Sequence, residues 1–423
     1  SVFICWKTYV LEYNTKTGKL VHEYKGLLNR IIGFNYHSYD SYQCITACSE
    51  VGKVIVWKTM TSYKILEKLL PVQNIKTFNV ISSENEDDIT ALVSYVNKNH
   101  VTFAVVDIKN KTLFRKFDLK IKQDEKYFID ISGSKYFSVI HGNTVCFVRF
   151  NNSNNISRHL IINTRTFTCI ACHPTEEVVL TGDNTGRVVV WQNIFSKDKA
   201  QAVFHWHTLP VRTVSFSTAG SYFYSGGEEC VLIKWQFDNK NDRRFLPRIG
   251  AEIEHICVAD NNLYVAVSTS DNAIRILDTQ MNQVTLIQHF VLGKQCANGI
   301  VYDPRTKSLI MNGNLGQVQF YSPNDMALLY NVDIVGQNKI TNERDCKIQN
   351  TEIMQIAISK NGGWLATVEE RKDEQYHSEI RLKFWKFNNE MQTFELNTSV
   401  EYPHDKSINS ILFQPTNGDN ALR

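Results

Sequence analysis

Cysteine and histidine side chains are the groups in this chain whose spacing could support haem, metal or nucleophilic chemistry. The run Cys169-Ile170-Ala171-Cys172-His173 matches the pattern for covalent haem attachment, in which two thiols bind the porphyrin and the histidine binds iron. The same residues alternate as a β-strand does, and two cysteines three positions apart then point to opposite faces. We therefore expect strand cysteines here and no haem.

The remaining candidates for chemistry are weaker. Cys44 and Cys48 with His37 lack the second ligand pair that a zinc site needs, and His205 and His207 flank Trp206 without a nucleophile beside them. No phosphate-binding glycine loop or nucleophile elbow is present. The sequence predicts a protein that is not an enzyme and has no metal, no cofactor and no small-molecule substrate.

The strands that carry these residues recur at a nearly regular spacing along the chain. Short apolar strands end on a bulky residue at gaps of 41 to 49 residues, until a last gap of 64. A period of about 40–45 residues indicates the four-stranded blades of a β-propeller. The nine strand ends are Tyr13, Trp57, Val106, Phe147, Trp191, Trp235, Leu277, Tyr321 and Trp385.

The clearest repeat lies between His207 and Trp235, and it resembles a WD repeat. In such repeats a His, a Ser or Thr, an acidic residue and the Trp form a buried hydrogen-bonded chain. His207, Ser225, Glu229 and Trp235 occupy those places. We expect this tetrad to have a structural role, because a buried imidazole needs partners for both of its nitrogens.

The number of repeats predicts an all-β chain with a seven-bladed WD40-type β-propeller followed by the first blades of a second, incomplete propeller. We place the first propeller at residues 1–292, without its N-terminal strand or strands, and the start of the second, truncated, at residues 293–423. The spacing of His404, Ile408, Ile411 and Phe413 matches that of an innermost strand and predicts a further blade there.

Composition limits the classes of partner. Lys and Arg number 46 against 43 Asp and Glu, so the net charge of +3 is far from the basic excess of a protein bound mainly through phosphates. Ten scattered cysteines indicate a reducing compartment. No apolar run is long enough for a membrane helix, so we expect no membrane contact.

Charged segments are the candidate contact surfaces. Lys240, Arg243, Arg244 and Arg248 are predicted to lie in the loop after Trp235, where arginine suits phosphate and acidic protein surfaces equally. A second basic cluster, from Lys109 to Lys126, is explained by solvation of an outer strand. Insertions add a polar stretch at Gln337–Thr351 and extend a hairpin with alternating charges at Glu369–Glu379, and we expect both to be exposed loops available to partners.

Several segments resemble one family more specifically than the repeat does. They include Asp303-Pro304-Arg305-Thr306-Lys307, Leu329 to Ile334, Trp364 to Glu369, Tyr224 to Glu229, and Phe245-Leu246-Pro247-Arg248. Together they look like the tandem-propeller nucleolar WD-repeat subunit of the UtpA, or t-UTP, subcomplex of the small-subunit processome.

The resemblance implies a nucleolar scaffold that contacts other UtpA subunits, processome proteins and the 5′ region of pre-rRNA. It also implies support of 18S rRNA maturation and of RNA polymerase I transcription. Two alternatives remain open at this point. One is a peptide-recognising propeller such as a ubiquitin-ligase substrate receptor, and the other is direct RNA binding as the primary activity.

Overall fold

The structure is a computed structural model in which all the regular secondary structure of the described residues is β-strand. It describes residues 1–81, 88–151, 156–160 (backbone only), 165–196, 200–239, 241–288, 291, 300–313, 316–324, 327–336, 350–372 and 377–414. In this part of the chain, no helix is long and apolar enough to cross a lipid bilayer. The strands form nine antiparallel sheets, numbered here in chain order.

The first four sheets follow one another along the chain. Sheet 1 has three strands and the others have four, each strand hydrogen-bonded to the next. Their strands are β1 (Val2–Trp6), β2 (Tyr9–Tyr13), β3 (Leu20–Tyr24); β4 (Ile31–Tyr39), β5 (Tyr42–Ser49), β6 (Lys53–Lys58), β7 (Lys64–Leu69); β8 (Ile75–Ile81), β9 (Thr90–Asn97), β10 (His100–Asp107), β11 (Thr112–Lys122); and β12 (Tyr127–Ser132), β13 (Tyr136–His141), β14 (Thr144–Arg149), β15 (Ile156–Leu160).

Sheets 5 to 9 repeat the four-stranded meander. Their strands are β16 (Phe167–Cys172), β17 (Val178–Asp183), β18 (Arg187–Gln192), β19 (Ala200–His205); β20 (Val211–Phe216), β21 (Tyr222–Gly227), β22 (Leu232–Gln236), β23 (Arg243–Leu246); β24 (Ile253–Val258), β25 (Tyr264–Thr269), β26 (Ala273–Asp278), β27 (Gln283–Gln288); β28 (Val301–Asp303), β29 (Ser308–Asn312), β30 (Gln317–Ser322), β31 (Ala327–Asp333); and β32 (Glu352–Ile358), β33 (Trp364–Arg371), β34 (Glu379–Asn388), β35 (Thr393–Glu401).

The predicted strand ends have the expected position. All nine lie on the strand before the outermost strand of their sheets, and the all-β fold with repeated sheets is confirmed. Residues 404–414 form no strand, contrary to the prediction from His404, Ile408, Ile411 and Phe413. A β-strand requires a hydrogen-bonded neighbour, and none of the described strands pairs with this segment.

The chain divides into two compact units. The first comprises Ser1–Thr269 with Ile274–Ile287, and the second comprises Ser270–Ala273 with Gln288–Arg423. The boundary predicted at residue 292 remains our proposal for the limit between two propellers.

Apolar clusters between neighbouring sheets hold the first unit together. One cluster joins each successive pair from sheets 1 and 2 to sheets 6 and 7, and these clusters contain the large buried side chains Trp57, Phe137, Trp191, Trp235 and Leu277. In sheets 2 to 6, neighbouring sheets cover the second strand on both faces, and these strands are buried almost without alternation, as in β17. Between sheets 7 and 1, Thr285 Oγ1 donates to the carbonyl oxygen of Thr15 at 2.6 Å.

Hydrogen bonds between neighbouring sheets recur one repeat apart. Ser132 Oγ donates to His173 O at 2.6 Å, Tyr136 OH donates to Val178 O at 2.8 Å, and Thr218 N donates to the side chain of Asn262 at 3.1 Å. These bonds satisfy buried polar groups that the apolar clusters would otherwise leave without partners. They also fix the position of each sheet against the next.

The second unit holds sheets 8 and 9 around its own core. Ile310, Phe320, Ile356, Leu365 and Trp385 are buried together between the two sheets. The motif from Asp303 to Lys307 forms the turn between β28 and β29, where the Asp303 carboxylate accepts from Arg305 N at 2.9 Å and from Thr306 Oγ1 at 2.7 Å. The Arg305 guanidinium lies 3.3 Å from the ring centroid of Phe387 and 3.1 Å from Tyr330 OH, so this motif joins both sheets.

His173 gives a sharp test of the packing between sheets 5 and 6. Its ring meets Phe216 edge-on at 4.9 Å, and its Nδ1 accepts from Glu176 N at 2.9 Å. Gly220 adopts a φ of +76°, and a Cβ there would lie 1.8 Å from His173 Nε2. Replacement of Gly220 by Ala therefore adds a clash to left-handed backbone strain, and we expect a loss of about 2–5 kcal/mol.

The matched control is Gly142→Ala. Gly142 also has a positive φ, +53°, but its Cβ would meet only Glu125 Oε1 at 3.7 Å. We expect this variant to lose only the backbone term, about 1–2 kcal/mol. Thermal unfolding of the two variants checks the difference, and equal melting temperatures would contradict the packing described at His173.

Candidate functional site

The four residues of the predicted tetrad lie together at one end of sheet 6. His207 Nε2 is 2.9 Å from Ser225 Oγ, His207 Nδ1 is 3.2 Å from Glu229 Oε2, and Trp235 Nε1 is 2.8 Å from Ser225 Oγ. His207, Ser225 and Trp235 are almost completely buried. The only arrangement that satisfies every donor has the indole donating to the serine, the serine to Nε2, and Nδ1–H to the carboxylate.

Glu229 joins this chain to the strand that follows. Its Oε1 accepts from the backbone N–H of Leu209, just before β20 begins. Burial acts to raise the pKa of Glu229, but hydrogen bonds from His207 and Leu209 outweigh it, and the pKa is held below its usual range. The carboxylate is thus ionised and fully used as an acceptor, which supports the structural role that we propose for the tetrad.

Half of this network recurs in two other sheets. Trp191 Nε1 donates to Thr181 Oγ1 at 2.8 Å in sheet 5, and Trp385 Nε1 donates to Thr367 Oγ1 at 3.0 Å in sheet 9. In each case the hydroxyl lies on the second strand and the indole on the third. The Trp–hydroxyl bond is therefore a repeated solution to the burial of an indole N–H between two sheets.

Sheet 9 contains a buried ion pair that the sequence did not suggest. Lys383 is paired with Thr367 in the sheet register, the place that Ile233 has beside Ser225 in sheet 6. Its Nζ lies 2.7 Å from Glu369 Oε1 and donates to Ile334 O at 2.7 Å. Burial raises the pKa of Glu369, and Lys383 opposes this effect. The signal in the sequence was a lysine at an inward position of an alternating strand.

This ion pair corrects the prediction for Glu369–Glu379. Glu369 is 1% exposed and Glu370 is 4% exposed, and both belong to β33 rather than to a solvated loop. Glu370 Oε1 accepts from Ser378 Oγ at 2.9 Å and from Ser407 Oγ at 2.6 Å. The first residues of the predicted contact loop are thus internal. Residues 373–376, and 337–349 of the other insertion, lie outside the described part of the chain.

The predicted arginines do not form one cluster. Arg243 and Arg244 are neighbours on β23, and alternation directs them to opposite faces of sheet 6. Arg243 stacks beside Trp235 and Phe245, whereas Arg244 donates to Gln280 Oε1 of sheet 7 at 3.0 Å. Arg248 lies beyond the strand and is exposed, and Lys240 lies outside the described residues.

The innermost strands share a bulge that periodicity alone did not reveal. The pairing of six innermost strands with their neighbours skips one residue at the same position of the repeat. The skipped residues are Ile32, Lys76, Thr168, Arg212, Glu254 and Met354. Bulges re-aim side chains, and Lys76, Arg212 and Glu254 are exposed with mixed charge.

The cysteine and histidine motifs do not form a site for chemistry. Cys169 Sγ donates to Val211 O in sheet 6, and Cys172 Sγ donates to Asp130 O in sheet 4, so the two thiols point to opposite neighbours. Burial raises the pKa of Cys169 to about 12, which keeps the thiol protonated. His37 Nε2 lies 2.7 Å from Thr46 Oγ1. Among the described residues, no three His, Cys, Asp or Glu side chains are arranged to hold a metal ion.

These features define a class, the WD-repeat β-propeller proteins, whose buried polar groups serve the packing of blades. Two family models divide the chain between them. Residues 2–272 match "WD repeat-containing protein 75 first beta-propeller", and residues 300–422 match "WD repeat-containing protein 75 second beta-propeller". The chain belongs to the WD repeat-containing protein 75 family, and the family resemblance seen in the sequence is confirmed.

Individual relatives agree with the family models. The chain is 29% identical to human WD repeat-containing protein 75 over 97% of its length and 51% of the relative, and 30% identical to the zebrafish (Danio rerio) protein over 95% and 49%. It is 26% identical to U3 small nucleolar RNA-associated protein 17 of Schizosaccharomyces pombe over 52% and 32%. The chain spans about half the length of the WD repeat-containing protein 75 relatives that it matches.

The tetrad predicts how much the Ser225 hydroxyl contributes to the stability of sheet 6. Replacement of Ser225 by Ala leaves the Trp235 indole and His207 Nε2 buried without partners, and we expect sheet 6 to lose about 2–4 kcal/mol. Ser38→Ala, at an exposed hydroxyl in β4, should cost less than about 0.5 kcal/mol. Hydrogen–deuterium exchange of each sheet measures both changes. Unchanged protection of β20–β23 in Ser225→Ala would show that the tetrad does not stabilise the sheet.

The ion pair of sheet 9 predicts a larger effect. Replacement of Lys383 by Met leaves the Glu369 carboxylate buried without its cation, at a cost of about 3–5 kcal/mol. Lys386→Met, at an exposed lysine of the same strand, should cost less than about 0.5 kcal/mol. Replacing both partners, as Glu369→Leu with Lys383→Met, should recover most of the loss. Exchange protection of β33 and β34 reports all three, and a double variant as unstable as Lys383→Met would refute the pairing.

Proposed function

We propose that this chain is part of a non-catalytic WD-repeat scaffold of ribosome biogenesis, acting in the nucleolus within the small-subunit processome. Its partners in this proposal are other UtpA subunits, processome proteins and the 5′ region of pre-rRNA. The scaffold would support processing of pre-18S rRNA and transcription of pre-rRNA by RNA polymerase I. The observation that carries the proposal is family membership, together with the relative whose name associates it with U3 small nucleolar RNA.

The described surfaces support a scaffold more than a catalyst. The buried histidines His173 and His207 pack between sheets and form hydrogen bonds there, and the carboxylates of the half-buried Glu229 and the buried Glu369 contact His207 and Lys383. The surface offers partners its shape, its exposed aromatic groups and its charges, and propellers bind partners through such features. Direct contact of Arg243, Arg244 and Arg248 with RNA or protein belongs to the same proposal.

The charge balance supports protein contacts as the larger part of this role. A net charge of +3, and bulge residues of mixed sign among the described residues, favour contacts with proteins over a large phosphate footprint. RNA contact would then be local, at arginines such as Arg248, and would add to a network of protein contacts.

Affinity purification of the tagged full-length protein from its own cells tests the proposed function. We expect enrichment of U3 small nucleolar RNA and of pre-rRNA carrying the 5′ region, together with other processome proteins. A tagged seven-bladed WD-repeat protein of unrelated function is the control. Recovery of U3 RNA at the control level would contradict the proposal, and recovery of a ubiquitin-ligase adaptor in its place would favour the peptide-receptor alternative.

A further inference from the structure

An exposed aromatic surface lies on the outer side of the first unit, between sheets 5 and 6. It consists of Trp206, just after β19, and of Arg243 and Phe245 on β23, and we call it the outer ledge. Trp206 is 37% exposed and Phe245 is 40% exposed, and their ring centroids are 4.9 Å apart. The Arg243 guanidinium lies 5.5 Å from the Phe245 ring. The charge of Arg243 marks it in the sequence, whereas nothing in the sequence places the two rings beside it.

The outer ledge is joined to the buried tetrad. Trp206 directly precedes His207 and meets its ring edge-on at 5.5 Å, and Arg243 also lies 5.7 Å from the Trp235 ring. Beneath the ledge, Phe204 packs against Trp235 at 5.4 Å. The exposed side chains are therefore held in place before any partner arrives, which lowers the entropy lost on binding.

The composition of the outer ledge is that of an interaction site. Trp, Phe and Arg are enriched at the centres of protein interfaces, where Trp and Arg contribute much of the binding energy. Arg243, Arg244 and Arg248 form no salt bridge with described residues, and neither do Asp238 and Asp242 of the adjoining hairpin. Arginines that have no carboxylate partner among the described residues, beside an apolar centre, favour an acidic partner with apolar side chains.

The geometry of the rings favours a peptide over RNA. Trp206 and Phe245 are inclined at 44° to each other, and the Arg243 guanidinium lies beside Phe245, so the two rings do not form one flat face. Stacking of a base needs such a face. By contrast, β23 is the outermost strand of its sheet, and its free edge can pair with an extended chain.

We propose that the outer ledge and the edge of β23 bind an extended acidic segment of a partner protein that carries apolar or aromatic residues and Asp or Glu on the same face. Side chains on one face of the segment pack against Trp206 and Phe245, and its carboxylates contact Arg243. This proposal rests on the scaffold function proposed above, for which it names one contact surface and the chemistry of its partner.

The test uses the full chain and a fluorescein-labelled peptide of about twelve residues in which Glu, Leu and Trp occupy every second position and Ser or Thr the positions between them. Such a peptide is longer than the four residues of β23. We expect binding by fluorescence anisotropy with a Kd of about 10–100 µM. The double variant Trp206→Ala with Phe245→Ala should weaken binding at least about tenfold, since it removes the apolar centre. No binding of this peptide to the unaltered chain would overturn the proposal.

The matched control is Phe114→Ala with Lys116→Ala. These residues lie on β11, the outermost strand of sheet 3, where Phe114 is 58% exposed. This variant should bind the peptide as the unaltered chain does. An equal loss in the control and in the ledge variant would overturn the assignment of the site.

A charge exchange separates binding from loss of folding. Arg243→Glu should weaken binding of the Glu peptide about tenfold or more. The same variant should bind a peptide with Lys in place of Glu better than the unaltered chain does. This gain cannot come from a misfolded protein, and its absence would overturn the role of Arg243.

Single-stranded oligouridylate of similar length tests RNA as an alternative ligand of the outer ledge. We expect it to bind more weakly than the Glu peptide and without dependence on Trp206. If the oligouridylate bound more tightly than the Glu peptide and Trp206→Ala abolished that binding, the ligand of the outer ledge would be RNA and not the proposed peptide. Failure of peptide binding would leave co-purification with U3 RNA unaffected, so the surface and the scaffold function can fail separately.

Discussion

The packing of one sheet against the next is the interaction on which the rest of this protein depends. No single blade can bury its own apolar residues, because its four strands form one layer that leaves both apolar faces uncovered. Only neighbouring blades can cover those faces. Strands such as β17 are buried along their whole length only because sheets 4 and 6 flank sheet 5. The free energy of the fold therefore resides largely between the sheets rather than within them.

Polar groups at these contacts have to be satisfied, and the chain does so in more than one way. Sheet 6 uses the hydrogen-bonded chain of His207, Ser225 and Trp235 with the carboxylate of Glu229 at its end. Sheet 9 keeps the Trp–hydroxyl bond but places the ammonium of Lys383 against Glu369 where sheet 6 has Ile233. The constraint is that buried donors and acceptors find partners, and the side chains that meet it can differ from repeat to repeat.

The sequence was sufficient for the features that follow from periodicity. Spacing of the strand ends predicted the repeated sheets, and the order His, Ser, Glu, Trp located four side chains that the structure brings within hydrogen-bonding distance. It was insufficient wherever two distant segments meet. Trp206 and Phe245 are 39 positions apart and become neighbours only when sheets 5 and 6 pack. Glu369 was taken for a loop residue because nothing in its local sequence reveals Lys383 behind it. The shared bulge was missed because one extra residue within a strand does not change the spacing of about 44 residues between repeats.

The contact between Thr285 and Thr15 gives the first unit a property that an open array of repeats lacks. A linear array can fray from either terminal repeat, and its stability then decreases toward both ends. Here Thr285 of sheet 7 is hydrogen-bonded to Thr15 of sheet 1, so sheets 1 and 7 each have a neighbour on both sides, as the terminal repeats of a linear array do not. The two ends of the first unit thus meet through a side-chain hydrogen bond, whereas apolar clusters join the six successive pairs of sheets between them.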